Sequence, residues 1–364
     1  MQQRIRMADT TLSSAEIVPV IDCMTVGNLR AGEYVKQFER EVARHTGAAW
    51  AIAVTNGTTA LYMVFKSILR PGDRVIIPAF NFIAAANAVA MAGGVPVFCD
   101  VDPETWLIDV DRMEQLLDAQ PIRAVCPVHL FGNPCDVNQI QAIASTYGAL
   151  VVWDACQAFG AEMHGRKIGG HGWATVYSFY PTKPCFAAEG GAITYNMVGM
   201  DGPDAVAFRE HGWNGSKYVS DGIGGNFRMN ELSAAIGFAQ LSRGLQIERG
   251  KQRLTVAKHI MDALRGYVVF QEITPGGKSV YSILAMWTFG NKRDQVRDHL
   301  LGDGIETGIH YPVGLHRQPS MKNYFTECPR TDELCNRILS IPCHHGMTIE
   351  DAERVVKSIR TALK

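Results

Sequence analysis

The sequence predicts an α/β fold, in which a mostly parallel sheet covered by helices is followed by a smaller C-terminal α+β domain. Two observations carry this. Between residues 50 and 154, short β-branched or apolar runs alternate with amphipathic stretches of about 10–15 residues, the rhythm of βαβ units. Beyond residue 229 that rhythm stops, and a long helical stretch leads into mixed strands and helices. A chain of 364 residues is longer than one core usually fills, so two domains are expected, 1–242 and 243–364.

The elements follow in order. Residues 13–30 read as an irregular lead-in with glycine turns at Gly27 and Gly32. Val35, Phe38 and Val42 recur at helical spacing over residues 33–45, and Gly47 closes that helix. An apolar strand at 50–54 runs into the turn Thr55-Asn56-Gly57, which feeds a helix over 58–69. Pro71-Gly72-Asp73 is a turn before a buried strand at 75–77. An alanine-rich helix with an aromatic start is expected over 78–90, and Gly93-Gly94 leads to a strand at 95–99. Helix 109–117, strand 124–129, helix 136–147 and strand 149–154 continue the alternation. Residues 174–179 read as a strand that Pro181 and Pro184 break, before Gly190-Gly191 and a strand at 192–195. A polar, glycine-rich loop covers 212–228, and the helical region from Asn230 runs with breaks to Leu264. Strands at 267–271 and 281–288, a helix at 294–301 and a last amphipathic helix from Thr348 follow; Thr348 with Asp351 is an N-cap signature.

Composition narrows the function. At 47% hydrophobic and 20% charged residues, the chain resembles an ordinary soluble globular protein. A net charge of -1 offers no polyanion-binding surface, so no nucleic-acid partner is expected. No apolar run reaches the ~18 residues of a transmembrane helix, and the polar, basic start is unlike a secretory signal. Nine scattered cysteines, an odd number with no C-x-x-C pair, suit reduced thiols and a cytoplasmic location. Cys343-His344-His345 lacks a second ligand cluster, so no metal is expected.

Three loops would meet at the carboxyl end of such a sheet, where ligands bind. Lys183 stands between Pro181 and Pro184 in a run with few charges. Most lysines are solvated surface charges. Here the ammonium would have to find a partner, lose its proton or become covalently bound. Asn56-Gly57-Thr58-Thr59 brings a helix N-terminus with free N–H groups and two hydroxyls, suited to a phosphate; it has neither the lysine of a Walker loop nor the G-x-G-x-x-G of a dinucleotide site. Asp154 ends an apolar strand, with Gln157 three residues on. A lysine amine, a strand-end carboxylate and a phosphate cradle are the parts that a pyridoxal 5'-phosphate (PLP) site needs, and Phe80 or Phe82 is placed to stack on its ring.

These residues also carry a resemblance. Ser178-Phe-Tyr-Pro-Thr-Lys183 followed by Glu189-Gly190-Gly191 is similar to the lysine motif of the DegT/DnrJ/StrS-type sugar aminotransferases, PLP enzymes of the aspartate-aminotransferase fold (fold type I). Segments 32–39, 56–61, 78–87, 128–132, 154–158 and 225–231 follow the family's order, as do His310-Tyr311-Pro312 and Ile341-Pro342. The resemblance implies a seven-stranded-type sheet in a large PLP-binding domain. It implies that Lys183 forms the Schiff base and shuttles protons, Asp154 pairs with the pyridine nitrogen, Gln157 contacts the ring hydroxyl and Phe82 stacks on the ring. Gly57, Thr58 and Ser178 would hold the phosphate. Asn226 would reach the phosphate of a neighbouring subunit, making a homodimer with shared active sites. His310 and Tyr311 would lie near the substrate.

The implied reaction moves an amino group from glutamate to a keto group of a nucleotide-linked (deoxy)sugar, in amino sugar biosynthesis. A related branch with histidine in place of the lysine dehydrates its sugar; here the lysine is present. A keto-inositol aminotransferase, a sugar dehydratase and a non-catalytic regulator on the same fold are the alternatives. Three departures from the family bear on the pocket. Trp153 stands where an acidic residue is common, Ala188 where a glycine often precedes the glutamate, and residues 184–187 are unusually apolar.

Overall fold

The computed structural model describes residues 4–196, 202–213, 215 and 218–364. The first three residues of the polar start, and 214, 216 and 217 of the glycine-rich loop, lie outside the described residues. Strands form where β-branched and apolar residues cluster: β1 (Trp50–Val54), β2 (Arg74–Pro78), β3 (Val95–Cys99), β4 (Ala124–Val125) and β5 (Leu150–Asp154). A small pair, β6 (Glu162–Met163) and β7 (Arg166–Lys167), precedes β8 (Ala174–Ser178) and β9 (Gly191–Tyr195). The main sheet has seven strands among the described residues, in the order β1-β9-β8-β5-β4-β2-β3. β8, β5, β4, β2 and β3 pair in parallel, and β9 runs antiparallel between β1 and β8. The mostly parallel sheet expected from the sequence is therefore present.

Alternation along each strand sends neighbouring side chains to opposite faces. Ile52 and Val54 of β1 join a core with α3 (Gly57–Ile68) and α4 (Ala84–Met91). Ala51 and Ala53 face the other way, onto α2 (Glu33–Thr46) and α8 (Glu231–Ser242). Further along that second face, Ile76, Val97, Val125 and Trp153 pack on α5 (Val110–Ala119) and α6 (Val137–Thr146). Burial on both faces is what makes these strands nearly continuous apolar runs.

Three of the readings that change have clear causes. Residues 14–26 are not irregular: they form α1 (Ser14–Val26), with a capping box between Ser13 and Glu16 and a left-handed Gly27 ending it. Pro19 inside the helix hid that signature. The helix expected from residue 78 starts at Ala84, because Pro78 is the last rung of the β2–β3 ladder and Ala79 N–H still bonds to Cys99 O at 2.8 Å. β4 stops after two residues rather than six; Pro127 has no N–H to donate, although Val128 still bridges Asp154.

After α7 (Gly202–Arg209), Gly244, at φ 68, breaks the long helical region into α8 and α9 (Leu245–Ala263). α9 leads into β10 (Val268–Phe270), β11 (Gly277–Lys278) and β12 (Leu284–Thr288), then α10 (Arg293–Gly302) and α11 (Pro329–Arg337). β13 (Ile338–Ile341) and α12 (Ile349–Leu363) follow, the latter capped by Thr348 and Asp351. β10, β12 and β13 form a second, antiparallel sheet whose core with α9, α10 and α12 also buries Ile5. α1 is tied to α9 by a buried ion pair, Arg249 bonding both oxygens of Glu16 at 2.7 and 2.8 Å.

Candidate active site

The carboxyl ends of β1, β2, β5 and β8 surround one cavity of about 470 Å³. Nine residues proposed from the sequence line it: Gly57, Thr58, Phe82, Asp154, Gln157, Ser178, Lys183, His310 and Tyr311. Asn226 does not. It is exposed, and its backbone bridges Glu210.

Lys183 sits in the loop that joins β8 to β9. Phe179 N–H bonds to Gly190 O and Ala187 N–H to Phe179 O, both at 2.8 Å, while Lys183 N–H closes a turn onto Tyr180 O at 2.9 Å. The amine itself makes no hydrogen bond or ion pair among the described residues. Burial lowers its pKa, and the charge of Asp154 acts the other way. Ala188 adopts φ 58, a left-handed conformation that a glycine takes without strain. The apolar residues Cys185, Phe186 and Ala187 are buried behind the loop.

Asp154 ends β5 and is 5% exposed. Its Oδ1 accepts from Cys156 N–H at 2.9 Å. Burial raises its pKa; the Cys156 hydrogen bonds and the Lys183 charge oppose that rise. Trp153, the preceding residue, is fully buried and stacks on His129 at 5.4 Å between ring centres. Trp153 thus serves the core and not the cavity. Gln157 accepts from Phe131 N–H at 3.0 Å and donates to Tyr311 Oη at 3.1 Å. Tyr311 packs against Phe82, whose ring is 54% exposed at the cavity mouth. His310 Nδ1 lies 2.9 Å from Ser340 Oγ, and burial lowers its pKa, with the Lys183 charge adding to the effect.

The first turn of α3 completes the ring of groups. Asn56 caps it by accepting from Thr59 N–H at 2.8 Å, which leaves the N–H groups of Gly57 and Thr58 without an intrahelical acceptor. A Cβ on Gly57 would come within 2.9 Å of Cys156 Sγ and 3.0 Å of Ser178 Cβ, so only glycine leaves that space open. Unpaired N–H groups at a helix N-terminus, an unpaired amine and a buried carboxylate fit a ligand with a phosphate, an aldehyde and a basic ring nitrogen. These residues fit PLP.

The cavity also contains residues the sequence reading did not single out: Asn81, Cys156, Tyr180, Thr182, Glu189 and Ile283. All but Ile283 lie within or beside motifs already noted. Asn81 Oδ1 accepts from Phe82 N–H at 2.7 Å, while its Nδ2 is buried without a partner. No group of three or more histidine, cysteine or acidic residues able to hold a metal occurs among the described residues, and no helix among them is long and apolar enough to cross a membrane.

This architecture and its lysine-bearing cavity define a fold type I aminotransferase. Residues 11–360 match the model of the DegT/DnrJ/EryC1/StrS aminotransferase family, and the chain belongs to that family. Its members are PLP-dependent. A Geobacillus stearothermophilus protein named as a pleiotropic regulatory protein is 34% identical, with 94% of this chain and 93% of the relative covered. A GDP-perosamine synthase of Caulobacter vibrioides is 32% identical over 99% of this chain and 98% of its own. Among solved structures, NtdA of Bacillus subtilis with bound cofactor PMP superposes with a TM-score of 0.90 at 26% identity, covering 100% of this chain and 86% of that one.

Proposed function

We propose that this transaminase binds PLP in the cavity around Lys183 and moves an amino group from glutamate to a keto group of a nucleotide-linked sugar. The observation that carries the cofactor reading is the unpaired amine of Lys183 facing a cavity that also holds Asp154 and the open N-terminus of α3. Relatives named as GDP-perosamine synthase and as an aminotransferase of a UDP-linked 3-oxo sugar acid support the substrate class.

When bound, PLP supplies an electron-withdrawing ring that acidifies the carbon carrying the amine. The chain's own groups do the rest. The N–H groups of Gly57 and Thr58, with the hydroxyls of Thr58 and Ser178, hold the phosphate at the positive end of α3. Asp154 holds a proton on the pyridine nitrogen, and that positive partner offsets its burial. Gln157 donates to the ring oxygen, and Phe82 covers one ring face. Lys183 would hold the cofactor covalently and, as a free amine, would move the proton at the substrate's amine-bearing carbon; its burial suits a base that must be neutral to act. His310 and Tyr311 bound the substrate side.

Residues 1–242 are read as the cofactor-binding domain and 243–364 as the smaller one. The functional unit is read as a homodimer in which Asn226 completes the partner's phosphate site. Nine cysteines without a disulfide support a cytoplasmic site of action. One spectrum tests the core of this reading. The purified protein with PLP should absorb in the visible, glutamate should bleach that band, and Lys183→Ala should abolish both the band and transamination. A borohydride-reducible adduct that survives in Lys183→Ala would overturn it.

A further inference from the structure

The two ends of the Gln157 amide are tied to different parts of the fold. Oε1 accepts the Phe131 N–H at 3.0 Å, and Nε2 donates to Tyr311 Oη at 3.1 Å. Only the carbonyl end of an amide can accept from an N–H, so the Phe131 bond decides which end faces Tyr311. Phe131 offers that N–H from a left-handed backbone, φ 59. The amide nitrogen has a second hydrogen, and the phenol has its own proton. Neither finds an acceptor among the described residues. Burial keeps the Tyr311 hydroxyl protonated well above its ordinary range, with the Gln157 bond acting the other way, so it stays a donor at any working pH.

Both residues line the cavity, and Gln157 is 4% exposed. Two donors side by side on the cavity wall, with no protein acceptor, are left incomplete by the protein alone. An oxygen carrying negative charge satisfies both and makes the stronger, charge-assisted bonds. A single neutral carbonyl would use them less well.

We propose that Tyr311 holds the Gln157 amide and, together with it, donates to the ionised ring oxygen of the bound cofactor. This rests on the PLP reading and deepens it, because it gives Tyr311 a contact with the cofactor besides its place on the substrate side. It also links the C-terminal segment to the sheet: Tyr311 follows the second sheet's β12, whereas Gln157 follows β5 of the main sheet. A shift of one part against the other is then felt at the ring oxygen.

The test compares PLP with its 3-deoxy analogue, which lacks the ring oxygen, in wild type, Tyr311→Phe and Gln157→Leu. Affinity is read by equilibrium titration, and ring ionisation by the pH midpoint of the visible band. Tyr311→Phe should weaken PLP binding about tenfold and raise the pH midpoint, since the ionised oxygen loses a donor. The analogue should bind Tyr311→Phe and wild type equally. Gln157→Leu should shift the midpoint in the same direction, and adding Tyr311→Phe to it should change little more, because the two act as a unit. Urea midpoints of the PLP-free proteins check that each variant folds. An unchanged midpoint in Tyr311→Phe, or an analogue that weakens in proportion with PLP, overturns the clamp. A wild-type protein with no visible band would instead overturn the PLP reading on which the clamp rests.

Discussion

Replacing Gly57 by alanine tests whether the first turn of α3 is a cradle. Gly57 does not have a positive φ, so the backbone takes an alanine without strain and the perturbation is purely steric. The new methyl would lie 2.9 Å from Cys156 Sγ and 3.0 Å from Ser178 Cβ. Ordinary contacts between carbon atoms sit at about 3.5–4.0 Å, so roughly half an ångström or more must be found on each side. Ser178 Cβ moves only with the end of β8, which is fixed by its pairing to Gly191. The thiol of Cys156 can rotate, but the open space beside it is the cavity. Overpacking of this size costs ~1–3 kcal/mol. The better helix propensity of alanine returns at most ~0.5–1 kcal/mol. A net loss of about 1–2 kcal/mol remains, equivalent to ~5–30-fold in an equilibrium constant.

The displaced Cys156 thiol takes ligand space, and Ser178 is pressed with or without ligand. Titration of Gly57→Ala with PLP should show an affinity reduced about tenfold, with a modest fall in the urea midpoint of the PLP-free protein. Cys156→Ala in the same background removes the closer contact and should recover part of the affinity. If Gly57→Ala binds PLP as well as wild type, the phosphate is not held at this turn. If Cys156→Ala recovers nothing, the steric argument is wrong even though the site is right.

Arg249→Ala should destabilise the protein by ~3–5 kcal/mol, since it strips the cation from Glu16, a carboxylate with no exposed surface; a urea titration measures this, and Glu16→Gln added to it should restore part of the loss. His129 should make the protein acid-sensitive. Burial, with the His171 charge adding, pushes its pKa down to about 3, so between there and its ordinary value of 6.5 the unfolded chain takes up a proton that the folded one refuses, and stability falls as the pH drops. His129→Gln keeps an acceptor for the Cys135 N–H, which now bonds Nδ1 at 2.9 Å, and should lose less stability than wild type between pH ~7 and ~4.5. Ala188→Gly should stabilise by up to ~1 kcal/mol, the left-handed strain of ~1–2 kcal/mol less the ~0.5–1 kcal/mol entropy cost of glycine; a lower urea midpoint would mean that φ 58 carries no strain.

How far the sequence announces this structure depends on the range of the interaction concerned. β1 and β3 match their expected limits, because an apolar run bounded by turn residues defines a buried strand locally. The loop after β2 did not announce itself. Proline at the start of an alanine-rich run reads as a helix N-terminus, and only the pairing of β2 with β3 keeps residues 79–83 out of the helix. That delay is what puts Asn81 and Phe82 on the cavity wall. Lys183, Asp154 and the α3 turn were legible as chemistry because each breaks an apolar pattern. The Gln157–Tyr311 bond spans 154 residues and leaves no local trace. Ile283 likewise reaches the cavity only through tertiary packing. Asn226, expected at a phosphate site, lies apart from the cavity of this chain, exposed on the glycine-rich loop.

The antiparallel placement of β9 beside β8 has a consequence for the order in which the site is assembled. Asp154 and the α3 turn depend on crossovers that bring distant strands together, but Lys183 lies with Ser178 on a local hairpin. Hairpins of neighbouring strands close within microseconds, far sooner than parallel pairings across a sheet. The lysine loop can thus be shaped before there is any sheet to hold it, while Asp154 and the α3 turn meet it only when the strands between them have docked. A ligand that needs all three groups can be held only once those strands have docked, so binding at this cavity would report a completed sheet.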